Sequence, residues 1–141
     1  EDERGLRDSQ LLVQALIARE NARGIPTDRI VLAGFSQGCA MTLQTGLRLE
    51  EPLAGMVCLS GYLPLAAKTA AERHSANAKT PIFMAHGTED PVVPLARAQE
   101  SCALLQELGY NIEWHTYPMP HAVHPQEVAD ISAFLKKVFT V

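Results

Sequence analysis

Apolar and polar positions along the chain follow two periods, and they alternate from one segment to the next. Leu12, Val13, Leu16 and Ile17 share one face at helical spacing, which predicts a helix over residues 6–22 stopped by Gly24. Ile30-Val31-Leu32-Ala33 is a short continuous apolar run, the pattern of a strand buried on both faces. A second helix is expected from Ser36 to about Leu49, with Pro52 preventing its continuation. Met56-Val57-Cys58-Leu59 reads as a second buried strand, and residues 65–79 as an alanine-rich loop with a short helix. The third strand covers 81–86. A helix follows over 95–108, with Pro94 before it and Gly109 after it. The fourth strand covers 112–117, and a closing helix spans 125–139 with Val128, Ile131, Leu135 and Val138 as its expected buried stripe. Strands alternating with helices predict βαβ units, right-handed crossovers and a parallel sheet. No repeat or linker interrupts the pattern, so residues 1–141 read as one α/β unit.

Composition narrows the function classes. Of the 141 residues, 47% are apolar and 20% charged, which is ordinary for a globular chain. The net charge of -4 offers no basic patch for nucleic acid. The apolar runs are far too short for a bilayer, and Glu1-Asp2-Glu3-Arg4 does not resemble a secretory leader, so no stable membrane insertion is expected. Cys39, Cys58 and Cys102 show no CxxC spacing. They read as small buried residues, and three free thiols fit a reducing, cytoplasmic compartment.

The chemistry begins at Gly34-Phe35-Ser36-Gln37-Gly38, a G-x-S-x-G pattern with a buried strand before it and a helix after it. A strand-to-helix turn this sharp forces Ser36 into strained backbone geometry and lifts its hydroxyl to the C-terminal edge of the sheet. The helix N-terminus leaves amides without intrahelical acceptors, so the Gln37 N–H can face an oxyanion.

A serine hydroxyl needs a positioned base, and in this strand–turn–helix context the order is Ser, then Asp or Glu, then His. Asp90 follows the third strand in His86-Gly87-Thr88-Glu89-Asp90-Pro91 and is the favoured acid, with Glu89 as its competitor. His121 follows the fourth strand and is preferred to His124, because His124 is expected to begin the closing helix. His115 lies within a strand, His74 lies in the loop before the acid, and His86 comes too early in the order. Residues 61–78 read first as a solvated connector, with a substrate-facing loop as the alternative.

At these residues the chain resembles the phospholipase/carboxylesterase family, which includes the acyl-protein thioesterases and small bacterial carboxylesterases, the latter looking nearest. The matching segments are residues 34–38, Leu59-Ser60-Gly61-Tyr62-Leu63-Pro64, His86-Gly87 with Asp90 and Val93-Pro94, and Tyr117-Pro118-Met119-Pro120-His121. The helix over 1–23 and the approach to the first strand at Asp28-Arg29-Ile30 also match, so the resemblance covers essentially the whole chain. Cys39 stands where a glycine is common. The resemblance implies an α/β-hydrolase fold, a Ser36/Asp90/His121 triad, no metal or organic cofactor, and a small ester or thioester substrate. It also implies a stretch before residue 1 that carries further strands and a His-Gly loop with a second oxyanion donor. The chain is therefore expected to be the C-terminal portion of the fold, with about four parallel strands and the first at an open edge. Such an edge admits a complementing N-terminal segment or a homodimer. The alternative function is a catalytically incompetent fragment that pairs with a partner chain through that edge.

Overall fold

The computed structural model, which describes residues 1–140, contains a four-stranded parallel sheet in the order β1-β2-β3-β4. The strands are β1 (Val31–Phe35), β2 (Gly55–Leu59), β3 (Ile82–Gly87) and β4 (Ile112–Tyr117). The helices are α1 (Glu3–Ala22), α2 (Gln37–Gly46), α3 (Ala66–Glu72), α4 (Leu95–Glu107) and α5 (Pro125–Phe139). All four expected strands are present and mutually parallel. Their register sets Phe35 beside Leu59, Leu59 beside Ala85, and Gly87 beside Tyr117, so the strand ends carrying Ser36, Asp90 and His121 emerge along one edge.

The two faces of the sheet separate by strand periodicity. Met56, Cys58, Ile82 and Met84 pack with Leu43, Leu47, Cys102 and Leu105 under α2 and α4. Val57, Phe83 and Ala85 point the other way and pack with Tyr117, Met119 and Phe134 under α5. Helices on both faces explain why β2 and β3 read as unbroken apolar runs. β1 is paired only with β2 and has no strand on its other side among the described residues.

The helix stops follow their chemistry. Arg23 ends α1, Gly24 takes φ +97°, the Ile25 amide donates to the Glu20 carbonyl, and the Gly24 amide donates to that of Asn21. The same pair of bonds closes α4, where Gly109 has φ +94°, Tyr110 donates to Leu105 and Gly109 to Gln106. Both are Schellman caps, which need a residue able to adopt a left-handed conformation.

Three sequence expectations change. The face of α1 that packs on α2 carries Gln10, Val13 and Ile17, while Leu12 and Leu16 are 69% and 61% exposed. A hydrogen bond from the buried Gln44 amide to Gln10 sets that face, and apolar spacing alone does not report it. Helix α2 ends at Gly46, short of Leu49, and Arg48 caps it by donating to the Gln44 carbonyl while pairing with Glu72. In α5, Val128 is 56% exposed and Glu127 is buried in its place. The Glu127 side chain accepts from the His124 amide in a capping box, and this reciprocal bond turns a carboxylate inward at a position that apolar patterning assigns to solvent.

Candidate active site

Ser36 stands between β1 and α2 with φ 61° and ψ −114°. A non-glycine residue there is strained, and its neighbours hold it in place. The Ser36 amide donates to the Leu59 carbonyl at 2.8 Å, and the Ala40 amide donates to the Ser36 carbonyl at 3.2 Å. A Cβ on Gly34 would lie 2.0 Å from the Gly38 carbonyl oxygen, so glycine is what lets β1 and α2 meet so tightly. A Cβ on Gly61 would lie 2.7 Å from the Ser36 carbonyl and 2.6 Å from Cys39 Cβ. The loop after β2 therefore runs directly over the turn. Gln37 is the first residue of α2, so its amide is among those without an intrahelical acceptor.

Asp90 lies in the loop after β3, its side chain fully buried. Oδ1 accepts from the amides of Val92 (2.8 Å) and Val93 (2.9 Å). Oδ2 accepts from His121 Nδ1 at 2.6 Å. Burial pushes this carboxyl up, but the His121 bond and the Val93 and Val92 amides outweigh it and hold the pKa below its usual value. The carboxylate is thus ionised at neutral pH, and the proton between it and the imidazole sits on Nδ1.

His121 Nε2 lies 3.0 Å from Ser36 Oγ. With Nδ1 protonated, Nε2 accepts from the hydroxyl. The imidazole also packs against the Phe35 ring, with centroids 4.8 Å apart. The loops that carry Asp90 and His121 are tied together: the Thr88 amide donates to the Tyr117 carbonyl, and the Glu89 amide to that of Met119. The structure thus brings Ser36, His121 and Asp90 into one hydrogen-bonded chain across 85 and 31 residues of sequence.

The competing residues lie elsewhere. Glu89 is exposed. His124 caps α5, its Nδ1 accepting from the Gln126 amide, and His74 caps a short 3-10 turn at Ser75–Asn77. His115 bonds Glu113 at 2.8 Å and stacks on Phe83 and Tyr117. His86, set aside on chain order, is buried directly behind Asp90, with Nε2 2.7 Å from the Val93 carbonyl. Its signals in the sequence are its place at the end of an apolar strand and the His86-Gly87 pair in the segment that matches the family. Of residues 61–78, Tyr62 lines a cleft with Gln37 and Met41 beside the Ser36 turn. Among the described residues, no cluster of three or more His, Cys, Asp or Glu is arranged to hold a metal ion, and no helix is long and apolar enough to cross a membrane.

A family model described as Phospholipase/Carboxylesterase matches residues 1–139. The chain is 45% identical over 141 residues to an acyl-protein thioesterase 1 of Gibberella zeae, covering 97% of this chain and 60% of that protein. It is 46% identical over 138 residues to an acyl-protein thioesterase 1 of Neurospora crassa, covering 96% of this chain and 56% of that protein. The chain therefore spans about three fifths of the length of these relatives. Its fold superposes on the crystal structure of Arabidopsis thaliana SOBER1 with a TM-score of 0.93 at 30% identity, covering 99% of this chain and 67% of that one.

Proposed function

The chain belongs to the phospholipase/carboxylesterase family, and from that membership we propose that it carries the nucleophile of a serine hydrolase acting on carboxylic esters or thioesters. The observation that carries this reading is the unbroken chain Ser36 Oγ, His121 Nε2, His121 Nδ1, Asp90 Oδ2, with links of 3.0 and 2.6 Å. In the proposed reaction the Ser36 hydroxyl attacks the acyl carbonyl as its proton passes to His121 Nε2. The tetrahedral oxyanion is met by the Gln37 N–H, on the positive end of α2. Collapse breaks the bond to the alcohol or thiol, which takes the proton from His121 and leaves an acyl-Ser36 ester. Water then attacks that ester as its proton passes to His121, and collapse breaks the bond to Ser36 Oγ, which takes that proton back as the carboxylic acid leaves. Asp90 stays ionised throughout and stabilises the imidazolium.

Exposed apolar side chains flank each of the three residues: Phe35 before Ser36, Val92 after Asp90 and Val123 after His121. These exposed apolar side chains favour an apolar acyl group. The relatives named acyl-protein thioesterase 1 favour a thioester as the scissile bond. The chemistry requires no metal or organic cofactor, and the three free buried cysteines suit the cytoplasm. A fluorophosphonate probe should label Ser36, and Ser36→Ala should abolish both labelling and turnover of a p-nitrophenyl ester. Retention of most turnover in Ser36→Ala would overturn the assignment.

A second reading rests on the unpaired side of β1. That backbone can accept a strand from a complementing segment or from a second copy of the chain, and pairing there is compatible with catalysis or can stand without it. Probe labelling of the wild-type chain separates the two, since a purely structural piece leaves Ser36 unreactive.

A further inference from the structure

We propose that His86 is a positioning residue for the acid: its Nε2–H locks the 90–93 loop so that Asp90 presents a single carboxylate oxygen to His121. The inference rests on the triad reading above and extends it to a residue outside the triad.

His86 is the penultimate residue of β3 and is 1% exposed. Its Nε2 lies 2.7 Å from the Val93 carbonyl oxygen. A carbonyl only accepts, so this nitrogen carries the proton and the tautomer is set. The same nitrogen lies 3.5 Å from Asp90 Oδ2. Among the described residues, His86 Nδ1 has no hydrogen-bond partner. A buried imidazole with one unsatisfied nitrogen is costly, and an apolar side chain of the same shape would fill the space without that cost. The Nε2 bond is therefore what the site gains from a histidine here.

What it gains is a loop with no freedom left. Between Asp90 and Pro94, Pro91 and Pro94 have no N–H, so Val92 and Val93 supply the only amides. Both donate to Asp90 Oδ1. The Val93 carbonyl, on the other side of the same residue, is held by His86. Val93 is thus gripped from both ends, its N–H by the acid and its C=O by His86. Oδ1 is fully occupied and Oδ2 is left to His121. Release of the Val93 carbonyl lets the peptide units turn, frees Oδ1 and loosens the 2.6 Å bond that orients the base. The buried Glu127 carboxyl of α5 also lies near His86.

Three substitutions in the intact protein test this. Gln places an amide N–H where Nε2 sits, Asn is polar but too short to reach the Val93 carbonyl, and Phe keeps the ring without the donor. His86→Asn and His86→Phe should lower kcat by about 10- to 100-fold with KM within about twofold, the scale seen when a partner behind a metal-binding histidine is removed. His86→Gln should recover most of the loss. The far-downfield proton resonance of the His121–Asp90 bond should weaken or move upfield in Asn and Phe and return in Gln. Equal activity in Gln and Asn, or a downfield resonance unchanged in both, overturns the positioning role. If Phe does not fold, the Gln–Asn pair still decides, because both are polar and differ in reach. Ser36→Ala run in parallel separates the two levels: full activity there overturns the triad itself, whereas its loss with undiminished His86→Asn activity overturns only the role of His86.

Discussion

Ser36→Gly and Ser36→Ala should both abolish turnover yet differ in stability, with glycine the more stable. Both remove the hydroxyl and its bond to His121, so that loss cancels in the comparison. What remains is the backbone. At φ 61° and ψ −114° a side chain meets its own peptide groups, and a non-glycine residue held in such a region costs about 1–3 kcal/mol. Glycine removes that strain but loses about 0.4–1 kcal/mol through the greater freedom of its unfolded chain. The difference is a net gain for glycine over alanine of between about 0 and 2.6 kcal/mol. The strain is not relaxed in Ser36→Ala, because the Leu59 and Ala40 hydrogen bonds and the close approach of Gly34 to Gly38 still dictate the turn. Urea denaturation of both variants at neutral pH reads the difference as a shift in midpoint at constant slope. A Ser36→Gly protein less stable than Ser36→Ala would refute the claim that Ser36 is held against a conformational penalty.

Gly34→Ala should destabilise by about 2–3 kcal/mol and reduce turnover, since its methyl would meet the Gly38 backbone rather than a side chain that can move; urea melts and ester turnover check both. His121→Ala should lower kcat on the order of 10⁴-fold or more. His124→Ala should leave kcat nearly unchanged and cost about 1 kcal/mol through the lost cap of α5, and the opposite pattern in paired kinetics and melts would exchange the two roles. Burial raises the Glu127 carboxyl above its usual range, so its ionisation opposes folding, and stability falls as pH rises from about 4.3 through the folded value. Glu127→Gln removes that term, so its stability relative to wild type should grow over this interval; a constant difference from pH 4 to 8 would count against it. The 141-residue chain expressed by itself should self-associate through the open side of β1, as a concentration-dependent mass in sedimentation.

Local rules made most of the architecture legible. Short apolar runs located the first three strands and alternation from Ile112 to Tyr117 the fourth, Gly24 and Gly109 marked helix stops that the structure closes with Schellman caps, and the spacing of Gly34, Ser36 and Gly38 announced a strained turn. Each of these depends on backbone sterics within a few residues, and that information lies in consecutive letters. Tertiary structure decided the rest. Which face of α1 turns inward depended on Gln44, 34 residues away, so Leu12 and Leu16 stayed outside. Burial of Glu127 in place of Val128 followed from a reciprocal bond with the His124 backbone. That His121 rather than His124 lies 3.0 Å from Ser36, and that Asp90 rather than Glu89 lies 2.6 Å from His121, brings together partners 85 and 31 residues distant. His86 was invisible by chain order because it acts through the Val93 carbonyl, an atom every residue possesses. Periodicity reports how a segment meets water, whereas hydrogen bonds between distant side chains depend on distances that exist only after the sheet has set its register.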